Sequence, residues 1–562
     1  MLTAVIYDLL GPSSFFGLCI LLTILSSVIY MFCSSIFGDT VKFPKSLPLI
    51  RERPSSSRFS IRTRLSYYLN CTSMYNEIWK KISQFSSKGI PVLAPSLGSR
   101  KEIFLPHKSI KWFMSQPKEV LGMWEGFNEV FQLRHSLGHE KYMLDTWAVD
   151  VSRRVMTQDL EEFIDPMREE LELAINSILG MDTETWKPLD LKDTMRTIIN
   201  RSASRFVVGL PLCRDDGYLN SSLNSIESIV SAAGALGIMP SFIRPLLGRL
   251  STYTALKRLE SRCRTVLQDR FAHIAKNPDD RSQDPVDLLQ RMLRVASVNR
   301  PEEMNVPSMI RRLVMANLGF IFQAGFAGTN VIRNILESDP KHDTINILRE
   351  EAQRFRDASG GDPSHLWTRS NISRMIFADS AARETLRIHT FTSRAMVRQV
   401  MVDGLHSDTG MPLPRGSLLS FVSQPMHTDP DHFPDPHSYE PFRFVKLRNE
   451  EDIRAKEASQ QPDQNDEFAD KARNDAGGNW NPHAFISTAR LLIFGRGRTS
   501  CPGRFLVEFQ LKILIYNLML NYDIRFADEI DQRPTNIWIC EFLFPRKGVK
   551  ILVKRRTGTH DI

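Results

Sequence analysis

The stretch FGRGRTSCPG, Phe494–Gly503, decides how this chain is read. Gly495, Gly497 and Gly503 surround a single cysteine, Cys501. At an average glycine usage of about 7%, three glycines at fixed offsets arise by chance roughly once in 3,000. Glycine permits tight turning and the close approach of backbone to a flat ligand. Pro502 follows the cysteine, and a helical pattern, RFLVEFQLKILIYNLML, begins at once. A cysteine just before a helix feels the positive end of the helix dipole and several free N–H groups, and both favour thiolate over thiol. Such a thiolate is a strong axial donor to haem iron and favours O–O cleavage. The plainer reading is a buried cysteine in a glycine-rich loop. It leaves the glycine spacing and Phe494 unexplained.

FGRGRTSCPGRF resembles the haem-binding loop of the cytochrome P450 family, F-G-x-G-x-[RH]-x-C-x-G. Phe494, Gly495, Gly497, Cys501 and Gly503 match it, and Thr499 stands where the family usually carries Arg or His against a haem propionate. Arg496 or Arg498 offers a neighbouring cation. The resemblance implies haem b, with Cys501 as the axial ligand of the iron. It also implies a P450-like fold, mainly α with small β-sheets.

Two further motifs fit. AARETLR, Ala381–Arg387, places Glu384 and Arg387 three apart, on one helix face. Alone, such a pair is usually a solvated surface pair worth a few tenths of a kcal/mol. YEPFRF, Tyr439–Phe444, adds Arg443 in the family's P-x-R-F position. The resemblance joins Glu384, Arg387 and Arg443 in a buried structural network, and a guanidinium's two-point geometry suits that task. It also puts Arg398 where a propionate-binding arginine is expected; the alternative is a solvated strand arginine.

LVMANLGFIFQAGFAGTNVIRNIL, Leu313–Leu336, reads as a long apolar helix holding Gly319, Gly325 and Gly328. Each glycine costs up to about 1 kcal/mol relative to alanine, which points to close packing or a local distortion. The family usually has A-G-x-[DE]-T-T here, with acid and alcohol relaying protons to oxygen. In this chain Ala327 replaces the acid and Gly328 the first threonine, leaving Thr329 as the candidate hydroxyl. An atypical oxidation, such as desaturation or rearrangement, fits that departure.

The remaining residues set the context. With 42% hydrophobic and 24% charged residues, a large core is expected and global disorder is not. A net charge of +8 favours anionic partners but comes with no nucleic-acid motif, so none is expected. Seven scattered cysteines argue for a reducing compartment, and no spacing suggests zinc. Phe15 to Phe32 is apolar and close to the roughly 20 residues that span a bilayer. Asp8 precedes it, whereas Lys42, Lys45, Arg51, Arg53 and Arg58 follow, which places the body in the cytosol. A signal peptide would need a basic start and a small-residue cleavage site.

The expected organisation is a membrane anchor over 1–42, a Pro-rich hinge over 43–60 and a catalytic domain over 61–562, with a charged surface insertion at 447–479. Helical patterns cover 143–180, 251–275 and 308–337; strand-like runs are short and late, at Ala395–Val402, Leu418–Val422 and Gly548–Val553. IFLPHKSIKWFMSQP (Ile103–Pro117) and VSRRVMTQDL (Val151–Leu160) resemble the fungal branch related to ent-kaurene oxidase, which serves terpenoid, alkaloid and polyketide pathways.

The resemblance implies a monooxygenase at the endoplasmic reticulum. It would take an apolar small-molecule substrate, O2, and electrons from an NADPH–cytochrome P450 reductase. A reductase-independent isomerase or peroxide-using enzyme, and a non-catalytic membrane haem protein, are the alternatives.

Overall fold

Apolar residues at helical spacing build most of the chain. The computed structural model describes residues 22–30, 33, 41–84, 89–97, 100–239, 241–358, 366–446, 491–529 and 533–557. Seven of its helices matter for the site: α1 (Leu160–Leu179), α2 (Leu191–Val207), α3 (Val306–Phe320), α4 (Phe322–His342), α5 (Thr344–Ala358), α6 (Ile376–Ile388) and α7 (Arg504–Asn521). The strands are β1 (Val92–Pro95), β2 (Lys101–Phe104), β3 (Leu121–Gly122), β4 (Lys187–Asp190), β5 (Arg394–Val400), β6 (Leu405–His406), β7 (Pro412–Leu413), β8 (Leu418–Val422), β9 (Tyr522–Phe526), β10 (Ile537–Ile539), β11 (Phe542–Phe544) and β12 (Lys550–Arg555). The fold is mainly helical with small sheets, as the sequence implies.

The chain divides into two compact parts. The first comprises Met1–Leu144, Glu227–Thr254 and Met396–Val422. Its sheet runs β1-β2-β8-β5-β3. The pairing of β2 with β8 is parallel, Ile103 opposite Leu419, and the buried Glu102 carboxylate takes the Ser420 hydroxyl proton in a hydrogen bond. The Pro-rich segment packs here too: Leu47 and Ile50 are buried, and the Ile50 N–H donates to the Leu93 carbonyl at 3.0 Å.

The second part comprises Asp145–Ile226, Ala255–Ala395 and Ser423–Ile562. Here α2 packs against α1 and α4, while α7 packs against α5 and α6. A three-stranded sheet, β4-β12-β9, and the β10-β11 hairpin complete it.

Three expectations change. The pattern over 143–180 is not one helix: a π-helical turn, Val155–Asp159, separates Trp147–Arg154 from α1. The Thr157 hydroxyl donates to the Arg153 carbonyl there at 2.9 Å, a side-chain bond of the kind that bends helices. The pattern over 308–337 breaks at Ile321, two residues after Gly319, which gives separate α3 and α4. Strands are not confined to the end of the chain. β1 to β4 are two to four residues long, and β2 finds its parallel partner in β8, some three hundred residues on, so a local pattern does not reveal it.

No helix among the described residues is long and apolar enough to cross a membrane. Half of the expected span, 15–21 and 31–32, falls outside them. Residues 22–30, which are described, are helical, with Leu22, Ile24, Leu25, Val28 and Ile29 exposed. The 447–479 insertion also lies outside the described residues.

Candidate active site

The cysteine loop closes on itself. The Cys501 N–H donates to the Phe494 carbonyl at 2.8 Å, and the Ser500 N–H to the Gly497 carbonyl at 3.0 Å. Gly495 and Gly497 take φ of 67° and 66°, left-handed values at which a Cβ is strained. The turn therefore requires glycine at both positions. Gly503 is the N-cap of α7, so Cys501 lies just ahead of a helix N-terminus.

The electrostatics at the sulfur have two sides. Burial pushes the Cys501 thiol up, while the Gly503 N–H, the Arg504 guanidinium and the Arg504 N–H pull it down. By surface area, however, the side chain is exposed. A Cβ on Gly503 would stand 3.5 Å from the Cys501 sulfur and 3.6 Å from Phe320 Cε1. Thr499, in the family's Arg/His position, points back into the loop, its hydroxyl 3.4 Å from the Arg496 carbonyl. The side chain of Arg498 lies outside the described residues.

The Glu384–Arg387–Arg443 set comes together. Arg387 donates from Nε to Glu384 Oε2 at 2.8 Å and from Nη2 to Oε1 at 2.7 Å. Arg443 Nε reaches the same Oε1 at 2.9 Å. Glu384 and Arg387 are fully buried and Arg443 is 5% exposed, so this is not the solvated surface pair of the plainer reading. Remaining donors find carbonyls: Arg387 Nη1 meets His427 at 2.6 Å and Pro436 at 2.7 Å, and Arg443 Nη1 meets Pro434 at 2.6 Å.

His427, which the sequence motifs do not single out, links this network to the cysteine loop. Its Nε2 accepts the Leu492 N–H at 2.9 Å, two residues before Phe494. A second tie joins α6 to α7. Lys512 is fully buried and donates to Glu508 Oε1 at 2.7 Å, and it lies 3.3 Å from Asp379 Oδ1. Glu351 of α5 caps α6, accepting the Phe377 and Ala378 N–H groups at 2.8 and 2.9 Å. The helix that follows Cys501 is thus held by buried, paired charges.

On α4 the glycines serve packing. A Cβ on Gly328 would stand 3.2 Å from Ile199 Cγ1 of α2 and 3.5 Å from Leu514 Cδ2 of α7. The Thr329 hydroxyl is buried and donates to the Gly325 carbonyl of its own helix at 2.8 Å. An aromatic cluster, also missed from sequence, gathers near this helix. Ring centroids are 4.9 Å apart for Phe322 and Phe326, 5.6 Å for Phe326 and Phe544, 5.4 Å for Phe391 and Phe542, and 6.1 Å for Phe322 and Phe391. These residues are scattered over more than two hundred positions, so no local spacing reveals the cluster.

Arg398, in the first part of the chain, is 4% exposed rather than solvated. Its Nη1 donates to the Phe113 carbonyl at 2.9 Å, its guanidinium lies 4.5 Å from the Phe113 ring centroid, and burial pushes its pKa down to about 10.

A thiol ahead of a helix N-terminus and a buried carboxylate–diarginine network, in a mainly helical fold, are the features that the sequence motifs led one to expect. The chain belongs to the cytochrome P450 family, whose model matches residues 72–553, and it is an oxidoreductase of the monooxygenase type. It is 38% identical over 528 residues to cytochrome P450 monooxygenase pbrC of Penicillium brasilianum, covering 92% of this chain and 93% of that one. It is 37% identical over 527 residues to cytochrome P450 monooxygenase astC of Aspergillus terreus, again 92% and 93%. With cytochrome P450 monooxygenase tenB of Beauveria bassiana the identity is 33% over 522 residues, 92% of each.

The family implies haem, and the residues fit it. The Cys501 side chain is exposed, and the Gly503 and Arg504 N–H groups with the Arg504 guanidinium favour the thiolate that iron requires, against the burial that favours the thiol.

Proposed function

We propose that this chain is a haem b monooxygenase that oxidises an apolar small molecule of fungal secondary metabolism, in the terpenoid, alkaloid or polyketide range. Its electrons would come from an NADPH–cytochrome P450 reductase. The observation that carries the proposal is the exposed Cys501 side chain, set in a glycine turn just ahead of the N-terminus of α7. Bound haem supplies oxygen activation and oxygen transfer.

The chain's own residues bind and orient. Cys501 would hold the haem iron through its sulfur, Gly495, Gly497 and Gly503 would allow backbone approach, Phe494 would limit solvent, and Arg498 and Arg398 would serve the propionates. Glu384, Arg387 and Arg443 hold the loop's support rigid through paired, desolvated charges. The cluster of Phe322, Phe326, Phe391, Phe542 and Phe544 offers apolar rings to the substrate and excludes water. Thr329 is the hydroxyl donor nearest the family's relay position. The proposal includes the domain plan read from the sequence, an anchor over 1–42, a hinge over 43–60 and a catalytic body over 61–562, at the endoplasmic reticulum with the body cytosolic.

A specific observation favours a second reading. The Thr329 hydroxyl proton is engaged by Gly325 and position 327 is alanine, an arrangement that suits chemistry with less demand for proton delivery. One experiment separates the two. The full-length protein in membranes with the reductase is given NADPH, 18O2 and a panel of apolar terpenes and polyketides. Products carrying one 18O atom, dependent on NADPH, support the monooxygenase. Equal turnover with hydrogen peroxide and no NADPH overturns the reductase-dependent reading.

A further inference from the structure

The segments that carry the aromatic rings also carry a connected chain of polar side chains. Asn536 donates from Nδ2 to Asn330 Oδ1 at 3.0 Å, and the same nitrogen lies 3.3 Å from His389 Nδ1. His389 Nε2 lies 3.2 Å from Asn334 Oδ1, and Asn334 Nδ2 donates to Thr385 Oγ1 at 3.1 Å. An amide nitrogen has two protons, so Asn536 fills both bonds at once. With Nδ1 accepting, a neutral imidazole carries its proton on Nε2, where it donates to Asn334. Each bond then has one direction. Burial, reinforced by the charges of Arg333 and Arg387, pushes His389 down to about 4 and keeps the ring neutral.

The placement of this chain matters. Asn330 and Asn334 lie on α4 beyond Phe326, His389 stands two residues before Phe391, and Asn536 directly precedes β10, whose partner β11 holds Phe542 and Phe544. Backbone bonds already join the hairpin to the segment after His389: the Leu543 N–H donates to the Phe391 carbonyl at 3.0 Å and the Ser393 N–H to the Glu541 carbonyl at 2.9 Å. Side chains tie α4 to both, through Asn536, His389 and the bond from Arg333 Nη1 to the Pro534 carbonyl at 2.7 Å.

We propose that His389 is a positioning residue for substrate selection, clamped between Asn536 and Asn334 so that the rings on α4, on residue 391 and on the hairpin form a wall of fixed shape. The proposal rests on the reading that these rings face the substrate. A wall set by directed polar bonds is preorganised, and preorganisation is expressed as affinity for ligands that touch it.

Two azoles of different size probe the wall, plain imidazole and 4-phenylimidazole, each titrated into the haem-loaded full-length protein and followed by the Soret shift. His389→Phe and Asn536→Leu break the chain; His389→Gln keeps one donor and one acceptor. Both breaking variants are expected to retain the thiolate-type carbon-monoxide band. In both, the ratio of the 4-phenylimidazole Kd to the imidazole Kd rises by about fivefold or more, and His389→Gln stays near wild type. Ratios unchanged in the breaking variants, with the band intact, overturn this proposal alone. If His389→Phe loses the band, Asn536→Leu decides on the same ratio. A wild type without the band overturns the haem-thiolate reading itself.

Discussion

His427 receives the Leu492 N–H at its ring Nε2, 2.9 Å away, while its carbonyl takes the Arg387 guanidinium at 2.6 Å. One residue thus joins the buried carboxylate–diarginine network to the chain that leads into the cysteine loop. His427 is fully buried, so its loss leaves the Leu492 N–H without its acceptor. His427→Ala is expected to cost about 1–3 kcal/mol. Denaturant unfolding measures that cost, and the carbon-monoxide spectrum should show a smaller thiolate-ligated fraction. Unchanged stability and an unchanged spectrum contradict the tether.

Glu384 is the single carboxylate shared by two buried guanidinium groups. Removing it strands charge in the interior, which costs about 3–5 kcal/mol for a broken buried pair. Glu384→Ala should therefore give little or no haem-loaded protein, and Glu384→Gln should recover part of it. Haem content per mole of purified protein is the measurement.

The His389 ring sets a pH dependence. Its folded value is pushed from 6.5 to about 4, chiefly by burial and then by the Arg333 and Arg387 charges. The unfolded chain binds the proton first, so this contribution is harmless above pH 6.5 and erodes stability as pH falls from 6.5 toward 4. The limiting slope for one group is about 1.4 kcal/mol per pH unit. Melting temperatures of wild type and His389→Gln should run parallel above pH 7. Below it, wild type should lose stability faster.

Gly328 fills the family's threonine position, yet a side chain there would enter the packing between α2 and α7. Gly328→Ala is expected to stay within about 1 kcal/mol of wild type, because helix propensity offsets the tight contact with Ile199. Gly328→Thr should cost about 1–3 kcal/mol by overpacking. It should not raise product formed per NADPH consumed. Better coupling in that variant would contradict the packing role given to Gly328.

The cysteine loop was legible because its chemistry is local: turn-forming glycines, one thiol and a helix start lie within ten residues. Glu384, Arg387 and Arg443 were legible through resemblance, since spacing alone makes them an ordinary surface pair. His427 was not, because its partner Leu492 is brought to it by folding. The same holds for β1 and β2, which are completed by β8, and for the aromatic rings, which three separate segments supply. Helix interruptions were half legible: glycines in 313–336 announced a distortion without fixing it at Ile321, and the π-turn at 155–159 left no sign in the hydrophobic period.

The ligation of iron by Cys501 is tested most directly by the carbon-monoxide difference spectrum of the full-length protein, wild type against Cys501→Ala, expressed with a reductase. The expected result is a thiolate-type Soret band in the wild type and none in the variant. A wild type without that band, or a variant that keeps it, contradicts the assignment of Cys501.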